Sequence, residues 1–156
     1  MEKVAKFFKV SENEFLKEGQ GDYSEIKLPS RATTGSAGYD FYSPVKFTLA
    51  PNETIKIATG IRVEIKEGWV LQIFPRSGLG FKYRLTLDNT VGIIDSDYFY
   101  AENEGHIFIK MTNCGAVPLT VEKGNAFAQG VFIPYGITED DFCSAIRRGG
   151  LGSTDK

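Results

Sequence analysis

Cysteine is scarce in this chain: Cys114 and Cys143 are the only two among 156 residues. Two thiols make no disulfide framework, so the sequence reads as a reduced, cytoplasmic protein. Histidine is scarcer still, with His106 alone, and no His/Cys/Asp cluster has metal-ligand spacing. His106 reads as a strand-end residue rather than a ligand. Long apolar runs are missing, so nothing here is expected to span a bilayer. Met1 to Val10 interrupts its apolar residues with Lys3, Lys6 and Lys9 and lacks the core of a signal peptide. An excess of one charge is missing too. Eighteen basic against 20 acidic residues leave a formal net charge of -2. That gives no global attraction to nucleic acid or to an anionic membrane. Any positive contacts to an anionic ligand must be local.

What the chain does have is glycine and aromatic residues. Seventeen Gly, 12 Phe and 7 Tyr, with 2 Met and no long Ala/Leu/Glu/Lys stretch, favour strands and turns over helices. The length suggests one domain, able to bury roughly 70% of its unfolded surface. Thr54 to Ile65 alternates in two pieces around Thr59-Gly60, as a strand, a turn or bulge, and a second strand would. Gly68 to Phe74 reads as the next strand, stopped by Pro75. His106 to Met111 places Ile107, Ile109 and Met111 on one face. Leu119 to Gly124 reads as a short strand and turn, and Phe127 to Pro134 as a more continuously apolar, buried strand. Turn residues recur every eight to twelve positions, the rhythm of an all-β sandwich or barrel. Short helices fit Ser11 to Glu18 or the residues after Ser77. The stretch Met1 to Tyr23 is an N-terminal extension, and residues 147–156 form a glycine-rich arm with almost no core-forming content. That arm is expected to be mobile. It is either a frayed tail or a strap whose N–H groups, arginines and hydroxyls wrap a polyphosphate.

The segment Asn89-Thr90-Val91-Gly92-Ile93-Ile94-Asp95-Ser96-Asp97-Tyr98 is the most chemical part of the chain. It reads as a hairpin or strand end presenting an amide, a carboxylate and an aromatic ring. Four other segments accompany it in order: Ala37-Gly38-Tyr39-Asp40, Pro75-Arg76-Ser77-Gly78-Leu79, Gly124 to Gln129, and Arg148-Gly149-Gly150-Leu151-Gly152-Ser153-Thr154. Singly each is weak. Together they resemble the five motifs of the trimeric dUTPases, over about Leu28 to Thr154.

That resemblance implies a distorted jelly-roll β-barrel, a homotrimer and active sites at subunit interfaces. It implies Mg²⁺-dependent hydrolysis of dUTP to dUMP and pyrophosphate, removing dUTP and supplying dUMP for thymidylate synthesis. Neither nucleic acid nor membrane is expected as a partner. Asp95 matches the general base that takes a proton from the attacking water. Asp97 is a rival by position, because strand alternation puts both on one side. Tyr98 matches the ring packed on the deoxyribose, leaving no room for a 2′-hydroxyl. Asn89 offers a donor and an acceptor to uracil, with the backbone at Gly92 and Ile94 supplying the rest of the edge. Arg76, Ser77 and Gly78 fall on the phosphate chain, and Gln129 contacts the α-phosphate or orients the water. Arg148, Gly150, Leu151, Gly152 and Ser153 close over the nucleotide. Arg147 is the alternative to Arg148, since the commonest family pattern places the arginine where Ile146 stands. Leu151 replaces the usual Phe, which removes a stacking face worth roughly 1–3 kcal/mol. Mg²⁺ is expected to be held by phosphates and water, with Asp40 in the outer sphere.

Two other readings compete. One is dCTP deaminase, of the same fold. The other is a trimeric, nucleotide-gated regulatory protein. Its sequence support is the stretch Phe99 to Glu104, about five residues longer than the short family form.

Overall fold

In a computed structural model, which describes residues 1–150, the described residues contain eleven strands in four antiparallel sheets. This is the all-β architecture expected from the turn rhythm, in the jelly-roll-like form that the resemblance implies. The site depends mainly on two sheets. One runs β2 (Tyr39–Tyr42), β11 (Ala126–Pro134), β6 (Trp69–Pro75), β8 (Gly92–Ile94). The other runs β4 (Thr54–Ala58), β9 (Phe108–Asn113), β7 (Leu85–Leu87). The smaller pairs are β1 (Ala5–Lys9) with β5 (Ile61–Ile65) and β3 (Phe47–Leu49) with β10 (Leu119–Val121).

The alternating residues face the core as their parity requires. Ile61, Val63, Ile107, Ile109 and Met111 are all buried, as are Phe41, Leu71, Ile73 and Phe127. Each such side chain contributes roughly 1.5–3 kcal/mol by leaving water. Between β4 and β5 the chain turns at Gly60, with φ +72°. A Cβ there would lie 2.3 Å from Ile26 Cδ1. Thr59 secures the same turn, donating its hydroxyl to the Ile107 carbonyl at 2.7 Å. Strand β9 begins two residues later than the pattern suggested. Ile107 spends its N–H on Ile61 and its carbonyl on Thr59, both outside its own sheet.

Both suggested helices are present: α1 (Glu12–Glu18) and α2 (Ser77–Tyr83). Ser11 caps α1 by accepting the Glu14 N–H, and Phe15 inserts fully into the core. The N-terminal extension is thus built into the barrel. Strand β1 pairs with β5 along its whole length, and Phe7 packs on Tyr39, Phe41 and Phe132 with centroids 5.4–5.9 Å apart. No helix among the described residues is long and apolar enough to cross a membrane.

Candidate active site

Four of the five motifs contribute to one sheet, the central one through β8. Strand β11 lies between β2 and β6, and its Gln129 stands opposite Asp40 on one side and Phe74 on the other. Gln129 donates its amide to the Pro75 carbonyl at 3.2 Å. Gly38 lets the chain pass over it, since a Cβ there would meet Gln129 Oε1 at 2.6 Å. Gln129 therefore ties the first motif to the second. Beyond Pro75 the chain enters α2, where no side chain caps the first turn. Arg76, Ser77 and Gly78 are exposed there, and Arg76 Nε lies 3.6 Å from Asp40 Oδ1. These residues, with Asn125 and Ala126, line a depression of about 690 Å³. A guanidinium, a hydroxyl and an uncapped helical turn suit an anion.

The carboxylate of the central motif lines a different depression from Arg76, Ser77 and Gly78. Asp95 directly follows β8 and caps a 3-10 turn, Ser96–Tyr100. Tyr98 is therefore carried on a 3-10 turn and not on a strand, contrary to the hairpin or strand-end reading. Asp95 and Asp97 do share a side, but through this turn. Arg147 joins them, Nη2 to Asp95 Oδ2 at 2.6 Å and Nε to Asp97 Oδ1 at 2.8 Å. These three residues line a depression of about 520 Å³ with Ser96, Tyr100 and Tyr135.

Tyr98 is 8% exposed and held at its tip. Its hydroxyl donates to the His106 carbonyl at 2.6 Å and accepts from Asn103 Nδ2 at 2.9 Å. Burial pushes this hydroxyl above its ordinary pKa, and the Asn103 hydrogen bond partly offsets the effect. His106 is fully buried, and burial pushes its pKa down to about 4. It is neutral at pH 7. Its Nε2 accepts the Gly60 N–H at 2.9 Å, while Nδ1 has no partner among the described residues. Glu104 is held below the usual carboxylate range, first by the Ser11 hydroxyl that donates to it.

Asn89 is exposed on the turn between β7 and β8, while Gly92 is buried against Ile73 and Ile94 pairs with Leu71. Of the arm, Arg148 is exposed and its carbonyl accepts the Glu102 N–H at 3.2 Å. It is Arg147, the alternative in the sequence, that reaches the carboxylates. Gly150 lies beside Asn103 and Tyr98. Leu151, Gly152 and Ser153 lie outside the described residues. Among the described residues, no group of three or more His, Cys, Asp or Glu is placed to hold a metal ion. No local pattern singles out Asn103, which stands in the sequence only as part of a lengthened loop.

The barrel, the anion-ready turn and the separate carboxylate define a class: small all-β enzymes that act on phosphorylated ligands. The profile of the dUTPase family matches residues 24–154, and the chain belongs to that family. The deoxyuridine 5'-triphosphate nucleotidohydrolase of Lactococcus lactis is 39% identical over 132 residues, covering 83% of this chain and 88% of that protein. The enzyme of the same name from Shewanella woodyi is 41% identical over 137 residues, covering 83% and 87%. The crystal structure of dUTPase from Streptococcus mutans superposes with a TM-score of 0.69 at 32% identity, over 85% of this chain and 98% of that one. The Staphylococcus bacteriophage 80alpha dUTPase with dUPNHPP superposes with a TM-score of 0.66 at 25% identity, over 97% and 98%.

Proposed function

We propose that this chain hydrolyses dUTP to dUMP and pyrophosphate, as a homotrimer whose active sites are completed between subunits. Membership of the dUTPase family supports the reaction and favours it over dCTP deamination. One geometric observation carries the shared site. Ile94 pairs with Leu71, so Asp95 continues toward the start of β6, whereas Arg76 and Ser77 follow its end at Pro75. Six or seven extended residues separate the two positions, or about 20 Å at roughly 3.3 Å per residue. A base must come within one water of the reacting phosphorus. Asp95 and the Arg76–Gly78 turn of one chain cannot both serve one triphosphate. A second copy brings them together.

In that site Asp95 takes a proton from the water that attacks the α-phosphorus. Arg76, Ser77 and the backbone at Gly78 hold the phosphate chain, with Gln129 at its inner end. Asn89 reads the uracil edge with the backbone at Gly92 and Ile94. The Tyr98 ring forms the wall against the deoxyribose. The arm, with Arg148 or Arg147, Gly150, Leu151, Gly152 and Ser153, closes over the bound nucleotide. Most of the catalysis is positioning and charge neutralisation.

Mg²⁺ fits this donor set. The half-buried Asp40 carboxylate faces the phosphate-binding depression and supplies an oxygen donor in the outer sphere. Phosphates and water complete the shell of an ion that keeps its waters readily. When bound, Mg²⁺ neutralises the phosphate charge. Both cysteines are free and exposed, which suits the reducing cytoplasm.

The test is pyrophosphate release with Mg²⁺ from dUTP, dTTP, dCTP and UTP in parallel. Turnover of dUTP alone supports the assignment. A folded protein that turns over none of the four is not the enzyme proposed.

A further inference from the structure

The lengthened loop Phe99 to Glu104 has its own contacts, and they converge on Tyr98. Asn103 is the link. Its Nδ2 donates to the Tyr98 hydroxyl at 2.9 Å, and its Oδ1 accepts the Gly105 N–H at 3.2 Å. Its backbone carbonyl accepts the His106 N–H at 3.1 Å. The same tyrosine hydroxyl donates to the His106 carbonyl at 2.6 Å. The tip of the ring is therefore gripped from both sides by a loop that leaves Tyr98 and returns to it. Gly105 makes the return possible. It has φ +71°, and a Cβ there would lie 2.6 Å from the Tyr98 carbonyl.

The loop is in turn anchored to the N-terminal extension. Glu104 accepts from the Ser11 N–H at 2.9 Å and from its hydroxyl at 2.5 Å. Phe99 packs on Phe8 with centroids 5.7 Å apart, and the Arg62 guanidinium stacks on Phe99 at 3.7 Å. The two segments that exceed the minimal family form thus pack against each other, behind one ring.

A wall that excludes a hydroxyl works only if it stays in place. Tyr98 sits on a five-residue 3-10 turn, outside any sheet. Its backbone alone is a weak anchor for the far end of the ring. Fixing the tip at Oη removes the swing about χ1 and χ2 that would open room beside the sugar. A displacement of about 1 Å is enough to change rates by large factors.

We propose that Asn103 is a positioning residue that sets discrimination against the 2′-hydroxyl by fixing the Tyr98 ring from its tip. This rests on the reading of Tyr98 as the wall of the sugar subsite. Asn103 does not touch the reacting atoms. It acts on the ratio between substrates, not on the proton transfer at Asp95.

The experiment compares kcat and KM for dUTP and UTP in wild type, Asn103→Ala, Asn103→Asp, Tyr98→Phe and Tyr98→Ala. Asn103→Asp keeps the shape of the side chain and removes the donor. The dUTP:UTP ratio of kcat/KM should fall by about tenfold in both Asn103 variants. The change should come through improved use of UTP, with kcat for dUTP within about threefold of wild type. Tyr98→Phe, which removes that bond together with the one to the His106 carbonyl, should lower the dUTP:UTP ratio at least as far. Adding Asn103→Ala to Tyr98→Phe should lower the ratio no further. A merely structural asparagine would depress both substrates alike and leave the ratio unchanged. If Tyr98→Ala collapses the ratio while Tyr98→Phe and Asn103→Asp leave it at wild type, Asn103 has no such role and the sugar-wall reading stands. If Tyr98→Ala also preserves the ratio, the sugar-wall reading itself fails. Should Asn103→Ala not fold, Asn103→Asp and Tyr98→Phe decide the matter.

Discussion

Arg147 reaches across 52 positions of sequence to lay its Nη2 on Asp95 Oδ2 at 2.6 Å. The same guanidinium places Nε on Asp97 Oδ1, so one planar fork spans two carboxylates. The Arg147 side chain is only 15% exposed in this contact, while the two aspartates are about half exposed. Arginine suits the role because its donors are fixed in one plane. The contact treats the two aspartates nearly alike; catalysis should not.

Asp95→Asn is expected to lower kcat for dUTP by about 10²-fold or more, the size of effect that a lost general base produces. Asp97→Asn should cost far less, because it leaves the base in place. Steady-state pyrophosphate release separates the two. Equal losses in both variants would mean that Asp95 has been wrongly singled out.

Shared sites make a sharper prediction. Asp95→Asn and Ser77→Ala are each expected to be weak as homotrimers. Unfolded and refolded together, they should form mixed trimers in which some sites draw Asp95 from one chain and Ser77 from another. Random mixing at equal amounts restores about a quarter of the sites, because each site needs two independent intact contributions. Activity that stays at the level of the separate variants would place both residues in a site made by a single chain.

His106 should shape the acid side of the stability curve. Its pKa is about 4 in the folded protein, pushed down first by burial, although Glu14, Glu18 and Glu104 pull it up. The unfolded value is about 6.5. Between these values the unfolded chain binds more protons than the native one, so stability rises with pH there. The contribution is complete above about pH 6.5 and is lost as pH falls toward 4. It amounts to at most about 3 kcal/mol, from 1.36 kcal/mol per unit. His106→Gln, which keeps an acceptor for the Gly60 N–H, should flatten this limb relative to wild type. Urea midpoints measured every half unit from pH 4 to 7.5 would show it. Parallel curves for the two proteins would count against a titrating His106.

Gly105→Ala tests the loop that returns to Tyr98. The substitution adds a Cβ at φ +71°, 2.6 Å from the Tyr98 carbonyl and 2.8 Å from Phe99 Cα. Both obstacles are backbone, so nothing nearby yields cheaply. The expected loss is about 2–4 kcal/mol, from left-handed strain plus the displaced turn. Gly68→Ala is the control. It has φ +83°, but a Cβ there meets nothing within 4 Å. Its loss should be confined to the strain alone, about 1–2 kcal/mol. Denaturant unfolding of the two variants gives the comparison, and equal losses would show that the return loop is not tightly closed.

Much of the barrel was legible in the sequence because strand burial has period two. Ile61, Val63 and Ile65, and again Ile107, Ile109 and Met111, could only face one way once extended. The two short helices fall where the sequence suggested them, near Ser11 to Glu18 and after Ser77. Scarcity of Cys and His bounded the chemistry before any fold was known. The five motifs gave the family and the residues worth watching, because each consists of neighbours in the chain.

What the sequence could not contain was distance between segments. Nothing local says that Asp95 lies near one end of β6 and Ser77 beyond the other. That follows from the register of β8 on β6, which only the closed barrel sets. Nor does spacing choose Arg147 over Arg148 as the partner of Asp95, since the choice depends on how the arm crosses the 3-10 turn. The grip of Asn103 on Tyr98 and the anchoring of Glu104 on Ser11 are also tertiary. Hydrogen bonds of this kind act over about 3 Å and carry no periodic signature. Side-chain pattern determined which faces turn inward, and the three-dimensional packing of loops decided which polar groups meet.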